Sequence, residues 1–161
     1  MFALTRSGAA MLLSASTAAL VLAASPALAA EDNWYSRSSP LAAVQDGANQ
    51  ALAYGTAYTK ASYLKNHTFY RDPRAGGDRV YTETAYRYYE YCSSYIGVAW
   101  CGEQGKDQSA RDSSGDWVDQ YDGDDYSGRN PDKGRVSYKV CEDHANAFDV
   151  CSREPFSTFA L

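Results

Sequence analysis

Four cysteines restrict the fold of this chain more strongly than any other feature of its sequence. Eight residues separate Cys92 from Cys101, nine separate Cys141 from Cys151, and thirty-nine lie between the two pairs. Each short interval has room for a hairpin turn, so the spacing favours the bridges Cys92–Cys101 and Cys141–Cys151 over the other two connectivities. A zinc site with four cysteine ligands would need pairs of the type C-x₂₋₄-C, which the sequence lacks.

The first 29 residues have the pattern of a secretory signal peptide. Arg6 precedes an apolar run rich in Ala and Leu, and Ala27 and Ala29 provide the small residues of an A-x-A cleavage site. We therefore predict cleavage after Ala29, or one residue later after Ala30, and a secreted, extracellular chain whose cysteines are oxidised. The remaining 132 residues carry 20 acidic and 14 basic side chains. This acidic balance excludes nucleic acid and, after signal cleavage, membrane surfaces as partners, because both attract basic proteins.

The pattern of large and small residues predicts strands along most of the remaining chain. Residues 79–101 contain six of the fourteen tyrosines and indicate a hairpin closed by the first disulfide. Alternation at residues 52–58, and a second apolar set at Val136, Tyr138 and Val140, indicate further strands. We predict one all-β domain at residues 50–161, folded as an antiparallel β-sandwich or small barrel of about six to eight strands with two disulfides.

Two segments do not fit this pattern of strands. Residues 30–49 are polar and rich in turn-forming residues, which predicts a flexible or partly helical lead-in. Residues 102–134 carry six glycines and, between Glu103 and Asp132, nine acidic residues against three basic ones. We interpret them as a long acidic surface loop, and long loops in small domains are often functional.

The acidic loop contains the candidate functional residues. Its large aromatic side chains predict a binding surface for an extracellular protein or a carbohydrate, with Trp117, Tyr121 and Tyr126 as candidates. Closely spaced carboxylates could bind calcium, and the candidate ligands are Asp119, Asp122, Asp124 and Asp125. Counted from Asp122, however, an EF-hand would need Gly at position 127 and Glu at position 133, where the chain has Ser127 and Lys133. We predict no metal, no cofactor and no catalytic residue, since His67 and His144 lie on distant segments without a recognisable nucleophile motif.

The C-terminal cysteine hairpin resembles a known group of exported proteins. The sequence R-V-S-Y-K-V-C-E-D at residues 135–143, closed by D-V-C at residues 149–151, and the G-D-R-V-Y strand at residues 77–81, are similar to small secreted actinobacterial β-rich proteins of unknown function with two hairpin disulfides. The resemblance implies a fold but no activity. A weaker likeness to secreted subtilisin inhibitors is limited to Arg-Val-Ser-Tyr and a Phe-containing tail, and the cysteine spacing departs from theirs.

These observations predict a non-enzymatic secreted domain with an extracellular binding or structural role, acting as a monomer. A secreted proteinase inhibitor is the alternative, because size, export and two disulfides fit that class as well. A small extracellular hydrolase is the second alternative, since several acidic residues are available for a cleft that sequence alone cannot assemble.

Overall fold

The computed structural model describes residues 30–74, 77–145 and 147–161, and the predicted signal peptide lies outside these ranges. The described residues form eleven strands and no helix. The strands are β1 (Glu31–Trp34), β2 (Leu41–Gln45), β3 (Ala48–Lys60), β4 (Tyr63–Arg71), β5 (Arg79–Ser93), β6 (Gly97–Trp100), β7 (Gly105–Gln108), β8 (Val118–Asp125), β9 (Lys133–Asp143), β10 (Val150–Cys151) and β11 (Phe156–Ala160).

The strands pair into two antiparallel sheets. In the first sheet, β4 lies between β3 and β8, while β1 and β2 pair with different parts of the far side of β3. In the second sheet, β5 pairs with β9 along most of its length; β6 and β7 cover its other side, and β10 and β11 pair with β9. The predicted all-β, antiparallel, sandwich-like fold is confirmed. Its strands outnumber the predicted six to eight, because six of them have five residues or fewer and carry weak alternation.

The core is built from large side chains of one sheet against small side chains of the other. The second sheet contributes three tyrosines that are almost completely buried, Tyr86, Tyr88 and Tyr138. The first sheet contributes small residues on the inward side of β3, among them Ala53 and Ala57. This complementarity in size lets aromatic rings fill the space between the sheets without overpacking.

Both predicted disulfides are confirmed. Cys92 bonds to Cys101 and Cys141 bonds to Cys151, and in each case the two Cα atoms lie within the ordinary range for a bridge or slightly below it, at 5.4 and 4.1 Å. The first bond joins β5 to the residue that follows β6, and the second joins β9 to β10, in whose register Cys141 and Cys151 are partners.

The segment at residues 30–49 is not the flexible or partly helical lead-in that its composition predicts. It contains β1 and β2, which extend the first sheet beyond β3. Trp34 is only 6% exposed, and Leu41 and Ala43 also belong to the core. Turn-forming residues dominate the composition because they connect two short edge strands, and one inward tryptophan is enough to attach β1 to the core.

The segment at residues 102–134 is not a continuous loop either. It contains β7, all of β8 and the first residues of β9. Along β8, solvent-exposed residues alternate with partly buried ones, as expected for an edge strand with one face on the core. The alternation is hidden in the sequence because the inward positions of β8 include the carboxylates Asp122 and Asp124, which the interior accepts through hydrogen bonds from tyrosine hydroxyls.

Gly55→Ala is expected to lower the free energy of unfolding by about 1–3 kcal/mol, because this position of β3 has no room for a side chain. A Cβ atom at Gly55 would lie 2.8 Å from Cζ2 of Trp34 and closer still to the carbonyl oxygen of His67. Gly128→Ala is the matched control, since its Cβ would meet no atom within 4 Å. Urea denaturation of both variants measures the difference, and equal stability of the two would contradict this account of the Trp34 contact.

Candidate functional site

The three aromatic residues predicted for a binding surface lie in different environments. Tyr121 on β8 is 62% exposed on the outer face of the first sheet. Trp117, just before β8, meets the Tyr54 ring edge-on at 4.8 Å and lies beneath the Arg71 guanidinium. Tyr126, just after β8, packs partly against the core and donates its hydroxyl proton to the carbonyl oxygen of Ala61 at 2.9 Å. Tyr126 therefore has a structural contact, whereas Trp117 and Tyr121 share an outer surface.

The four calcium candidates are separated by the alternation of β8. Asp119 and Asp125 point to solvent, where Asp119 contacts His67 at 3.2 Å and Asp125 accepts a hydrogen bond from Ser62 at 3.1 Å. Asp122 and Asp124 point inward and accept hydrogen bonds from tyrosine hydroxyls of β5. Carboxylates on opposite faces of one strand cannot share an ion, so the structure does not bring the predicted ligand set together.

An aromatic strip crosses the outer face of the first sheet. Its rings contact one another in sequence, beginning with the edge contact between Trp117 and Tyr54. Phe69 stacks on Tyr54 with ring centres 5.0 Å apart, and His67 contacts Phe69 at 4.4 Å. Tyr121 then stacks on His67 at 3.8 Å. The register explains these contacts, because Tyr54 is opposite Phe69 and His67 is opposite Tyr121 in neighbouring strands. Rings that stack on each other cover their own faces, so the strip offers an open aromatic surface mainly at its ends.

The Tyr121 end of this strip borders a shallow groove of about 180 Å³, which we call the tyrosine groove. Its walls are Tyr58 of β3, Tyr63 and Lys65 of β4, and Tyr121 of β8. Gly123 lies opposite Lys65 in the register and has no side chain to fill the space between them. A Cβ atom there would approach the Leu64 carbonyl oxygen to 2.9 Å, so a larger residue would not fit at this position without a shift of the neighbouring strand.

The tyrosine groove combines aromatic rings with groups that can form hydrogen bonds. The Lys65 amine lies 5.0 Å from the centre of the Tyr63 ring. The neighbouring Asp125 carboxylate raises the pKa of Tyr63, and burial with nearby Tyr121 and acidic groups raises that of Tyr58. Both hydroxyls therefore keep their protons at neutral pH and can act as donors as well as acceptors.

The sequence analysis missed the tyrosine groove because its parts come from three strands. The alternation of β4 already indicates that Tyr63, Lys65, His67 and Phe69 share one side. Treating residues 102–134 as a loop removed the partner strand β8, and with it the contact between Tyr121 and His67. An alternation of apolar and polar residues would have identified β8 as a strand, but acidic residues occupy both of its faces.

A buried polar network crosses the interior between the two sheets. The Trp34 indole donates a hydrogen bond to Asn66 Oδ1 at 2.9 Å, and Asn66 Nδ2 donates to Thr84 Oγ1 at 3.0 Å. The Thr84 hydroxyl donates to Asp122 Oδ2 at 3.1 Å, and the Tyr86 hydroxyl donates to Asp122 Oδ1. We call these five residues the polar network. It connects β1, β4, β5 and β8, so each member satisfies a group that would otherwise be buried without a partner.

Asp122 is the residue of the polar network whose shifted pKa lies close to neutral pH. Burial raises the pKa of its carboxyl to about 6, and the hydrogen bonds from Tyr86 and Thr84 oppose this only in part. Burial also raises the pKa of Tyr86, which keeps the phenol protonated as the donor. Among the described residues, no cation forms a hydrogen bond with Asp122. Its charged carboxylate is therefore stabilised by neutral donors alone.

The groups that could support hydrolysis are engaged in other contacts. On the outer face of the second sheet, burial acts to raise the pKa of Glu83, but hydrogen bonds from Lys139, Gln108 and Lys106 lower it overall. A carboxyl held ionised by two lysines is a poor general acid. In the part of the chain that the structure describes, the hydrogen-bond partners of the His67 and His144 rings are carboxylates rather than hydroxyl nucleophiles.

No protein-family model matches this chain, and neither the curated proteins nor the solved structures compared with it include a similar one. The fold and its bridges define a disulfide-bonded, sandwich-like all-β domain, and two disulfides are typical of proteins from extracellular or other oxidising compartments. Within the described ranges, no helix is long and apolar enough to cross a membrane.

Proposed function

We propose that this protein is a non-enzymatic, secreted domain that binds a neutral sugar unit of an extracellular polysaccharide in the tyrosine groove. The observation that carries the proposal is the environment of Tyr121. The His67 ring covers one face of its phenol ring, yet the residue is 62% exposed, so the other face is open to solvent beside the groove. An aromatic ring held from behind loses little conformational freedom when a flat ligand stacks on it.

The chemistry of the tyrosine groove matches that of a sugar ring. One face of a pyranose is formed by C–H groups, which pack on aromatic rings, while its rim carries hydroxyls that need hydrogen-bond partners. Tyr121 and Tyr63 provide the rings, and the phenol hydroxyls and the Lys65 amine provide donors at their margin. Volume also fits, because a groove of about 180 Å³ accommodates one ring of a longer chain rather than a whole folded partner.

The charges around the tyrosine groove favour a neutral ligand. Lys60 and Lys65 are positive on this face, whereas Glu31, Asp119 and Asp125 are negative, so both signs are present and the local excess is acidic. The whole chain has a formal net charge of −5, which repels polyanions. A neutral polysaccharide meets no long-range repulsion and can use both kinds of charged group as hydrogen-bond partners.

The proteinase inhibitor receives less support from the exposed hairpin tip. Tyr95 is 99% exposed inside the ring closed by Cys92 and Cys101, which resembles a presented reactive residue. However, the Ile96 amide donates a hydrogen bond to the Ser93 carbonyl at 3.2 Å, so the tip is a tight turn. A proteinase binds its target segment as an extended chain, and this turn would have to open first.

The hydrolase also receives less support, because Asp122, the buried acid that borders the groove, already accepts hydrogen bonds from Thr84 and Tyr86.

Tyr121→Ala is expected to weaken polysaccharide binding about tenfold or more, since a lost aromatic stacking contact and its buried area together exceed about 1.4 kcal/mol. The wild-type protein is first tested by co-sedimentation with insoluble cellulose, chitin, xylan and starch, and then by calorimetry with the matching hexasaccharide. Tyr95→Ala is the control, because it removes a tyrosine that is even more exposed from the β5–β6 turn of the second sheet, far from the groove. Tyr63→Ala tests the opposite wall of the tyrosine groove.

Two results would overturn the polysaccharide proposal. One is the absence of binding between the wild-type protein and all four polysaccharides. The other is an equal loss of binding in Tyr121→Ala and Tyr95→Ala. Circular dichroism of each variant establishes that it is folded, and Tyr63→Ala replaces Tyr121→Ala in the comparison if the latter is not.

A further inference from the structure

We propose that Asp78, Glu142 and His144 form a binding site for one divalent transition-metal ion of the zinc type. This His144 cluster lies at one end of the second sheet, where Asp78 precedes β5, Glu142 lies near the end of β9 and His144 follows β9. Each residue offers one ligand atom, and the three ligand atoms lie within 4.8 Å of one another. The site is independent of the tyrosine groove, which is formed by the first sheet.

The spacing of the ligand atoms suits a tetrahedral ion. Nε2 of His144 lies 2.8 Å from Oε2 of Glu142 and 3.8 Å from Oδ2 of Asp78. Zinc binds nitrogen and oxygen ligands at about 2.0–2.2 Å, so two ligands of a tetrahedral ion are separated by about 3.3 Å. The two observed separations bracket this value, and a movement of the exposed Asp78 side chain toward Glu142 and His144 would bring all three atoms onto one ion.

The surrounding contacts hold the ligands in position. The Glu142 side chain is buried, and its second oxygen, Oε1, accepts a hydrogen bond from Arg74 at 3.5 Å, which leaves Oε2 for the ion. The backbone amide of His144 donates to Asp149 Oδ1 at 3.1 Å and fixes the turn after β9. The Cys141–Cys151 disulfide closes the base of the same turn. Partners that orient metal ligands in this way are a regular part of protein metal sites.

The types of ligand distinguish among the possible ions. Calcium prefers six to eight oxygen ligands, whereas imidazole nitrogen is a preferred ligand of zinc, nickel and copper. One histidine and two carboxylates leave at least one coordination position for water. A surface groove of about 300 Å³, lined by Asp78, Arg79 and Asp143 among others, gives solvent access to this side of the cluster. The arrangement is therefore an open site with three protein ligands.

Calorimetry with zinc chloride on the purified, untagged protein tests the His144 cluster. We expect one zinc ion per chain with a micromolar dissociation constant, no comparable heat with magnesium or calcium, and a higher melting temperature in the presence of zinc. His144→Gln should weaken zinc binding at least about tenfold and remove the thermal shift. His67→Gln is the matched control, because the chain has only two histidines and the structure places His67 beside a single carboxylate, Asp119.

The proposal would be overturned if the wild type did not bind zinc, or if His67→Gln lost zinc binding to the same extent as His144→Gln. If His144→Gln does not fold, Asp78→Asn takes its place, since the Asp78 side chain is 53% exposed and we expect its replacement to preserve the fold. Zinc affinity unchanged in a folded Asp78→Asn variant would count against the three-ligand site in the same way. Tyr121→Ala should keep the zinc affinity, which separates this test from that of the tyrosine groove.

Discussion

Trp34→Ala is expected to lower the free energy of unfolding by about 3–5 kcal/mol, the range for truncating a large aromatic side chain in a core. The indole stacks on Tyr138 of the second sheet with ring centres 4.3 Å apart, and it covers Gly55 of β3. It also donates the hydrogen bond that satisfies Asn66 Oδ1. One residue of a four-residue edge strand thus fills core volume, connects both sheets and completes the polar network.

Trp34→Phe separates the two contributions of the indole. Phenylalanine retains most of the aromatic contact but leaves Asn66 Oδ1 without its donor, so we expect a loss of about 1–3 kcal/mol. Trp100→Phe, at a half-buried position on the second sheet, is the matched control and should change stability by less than either Trp34 variant. Urea denaturation followed by circular dichroism gives all three values. A Trp34→Ala protein within about 1 kcal/mol of wild type would mean that β1 is not part of the cooperative core.

The stability difference between wild type and Asp122→Asn is expected to depend strongly on pH. Burial raises the folded-state pKa of Asp122 to about 6 from its ordinary value of 3.8. Below pH 3.8 the carboxyl is protonated in both states and contributes no difference. Between these values the folded state holds the proton that the unfolded state has released. The free energy of unfolding of wild type minus that of Asp122→Asn therefore falls as pH rises from about 4 to 6.5, by about 2–3 kcal/mol in total.

Urea denaturation at a series of pH values between 4 and 7.5 measures this difference. Taking the difference from the variant cancels the titration of the other carboxyls, which otherwise dominates the pH dependence of an acidic protein. Asp116→Asn, an exposed acid before β8, is the matched control and should differ from wild type by no more than about 0.5 kcal/mol. A difference between wild type and Asp122→Asn that stays constant, or that rises with pH, would contradict the buried position of Asp122 in the polar network.

The parts of the fold that follow from local patterns could be predicted. Both disulfides followed from short cysteine intervals, because a hairpin brings such cysteines together whatever the rest of the chain does. The inward side of β9 was equally clear, since Val136, Tyr138 and Val140 alternate with more polar residues and all three are buried. In these segments apolar residues face the core and more polar residues lie on the opposite face, so the alternation of a strand can be recognised from the sequence alone.

The parts that depend on distant partners could not be predicted. Asp122 and Asp124 look like surface residues, and only the tyrosine hydroxyls of β5, 36 residues earlier, make their inward position acceptable. Without β8, Tyr121 had no neighbour in the sequence analysis, and the tyrosine groove could not be assembled. The His144 cluster was missed for a similar reason, because Asp78 lies 66 residues before His144 and reaches it only through the pairing of β5 with β9.

The position of the two disulfides divides the molecule into mechanically different halves. Both bonds close hairpins of the second sheet, and neither connects that sheet to the first. The second sheet is therefore a covalently reinforced frame, while the first sheet is attached to it by the connecting segments of the chain, by side-chain packing and by hydrogen bonds that include the polar network. If the tyrosine groove engages a polysaccharide, the strands that touch the ligand can adjust by small shifts while the reinforced frame keeps its shape. A tensile load on the bound polymer would likewise act first on the half of the molecule that has no cross-link.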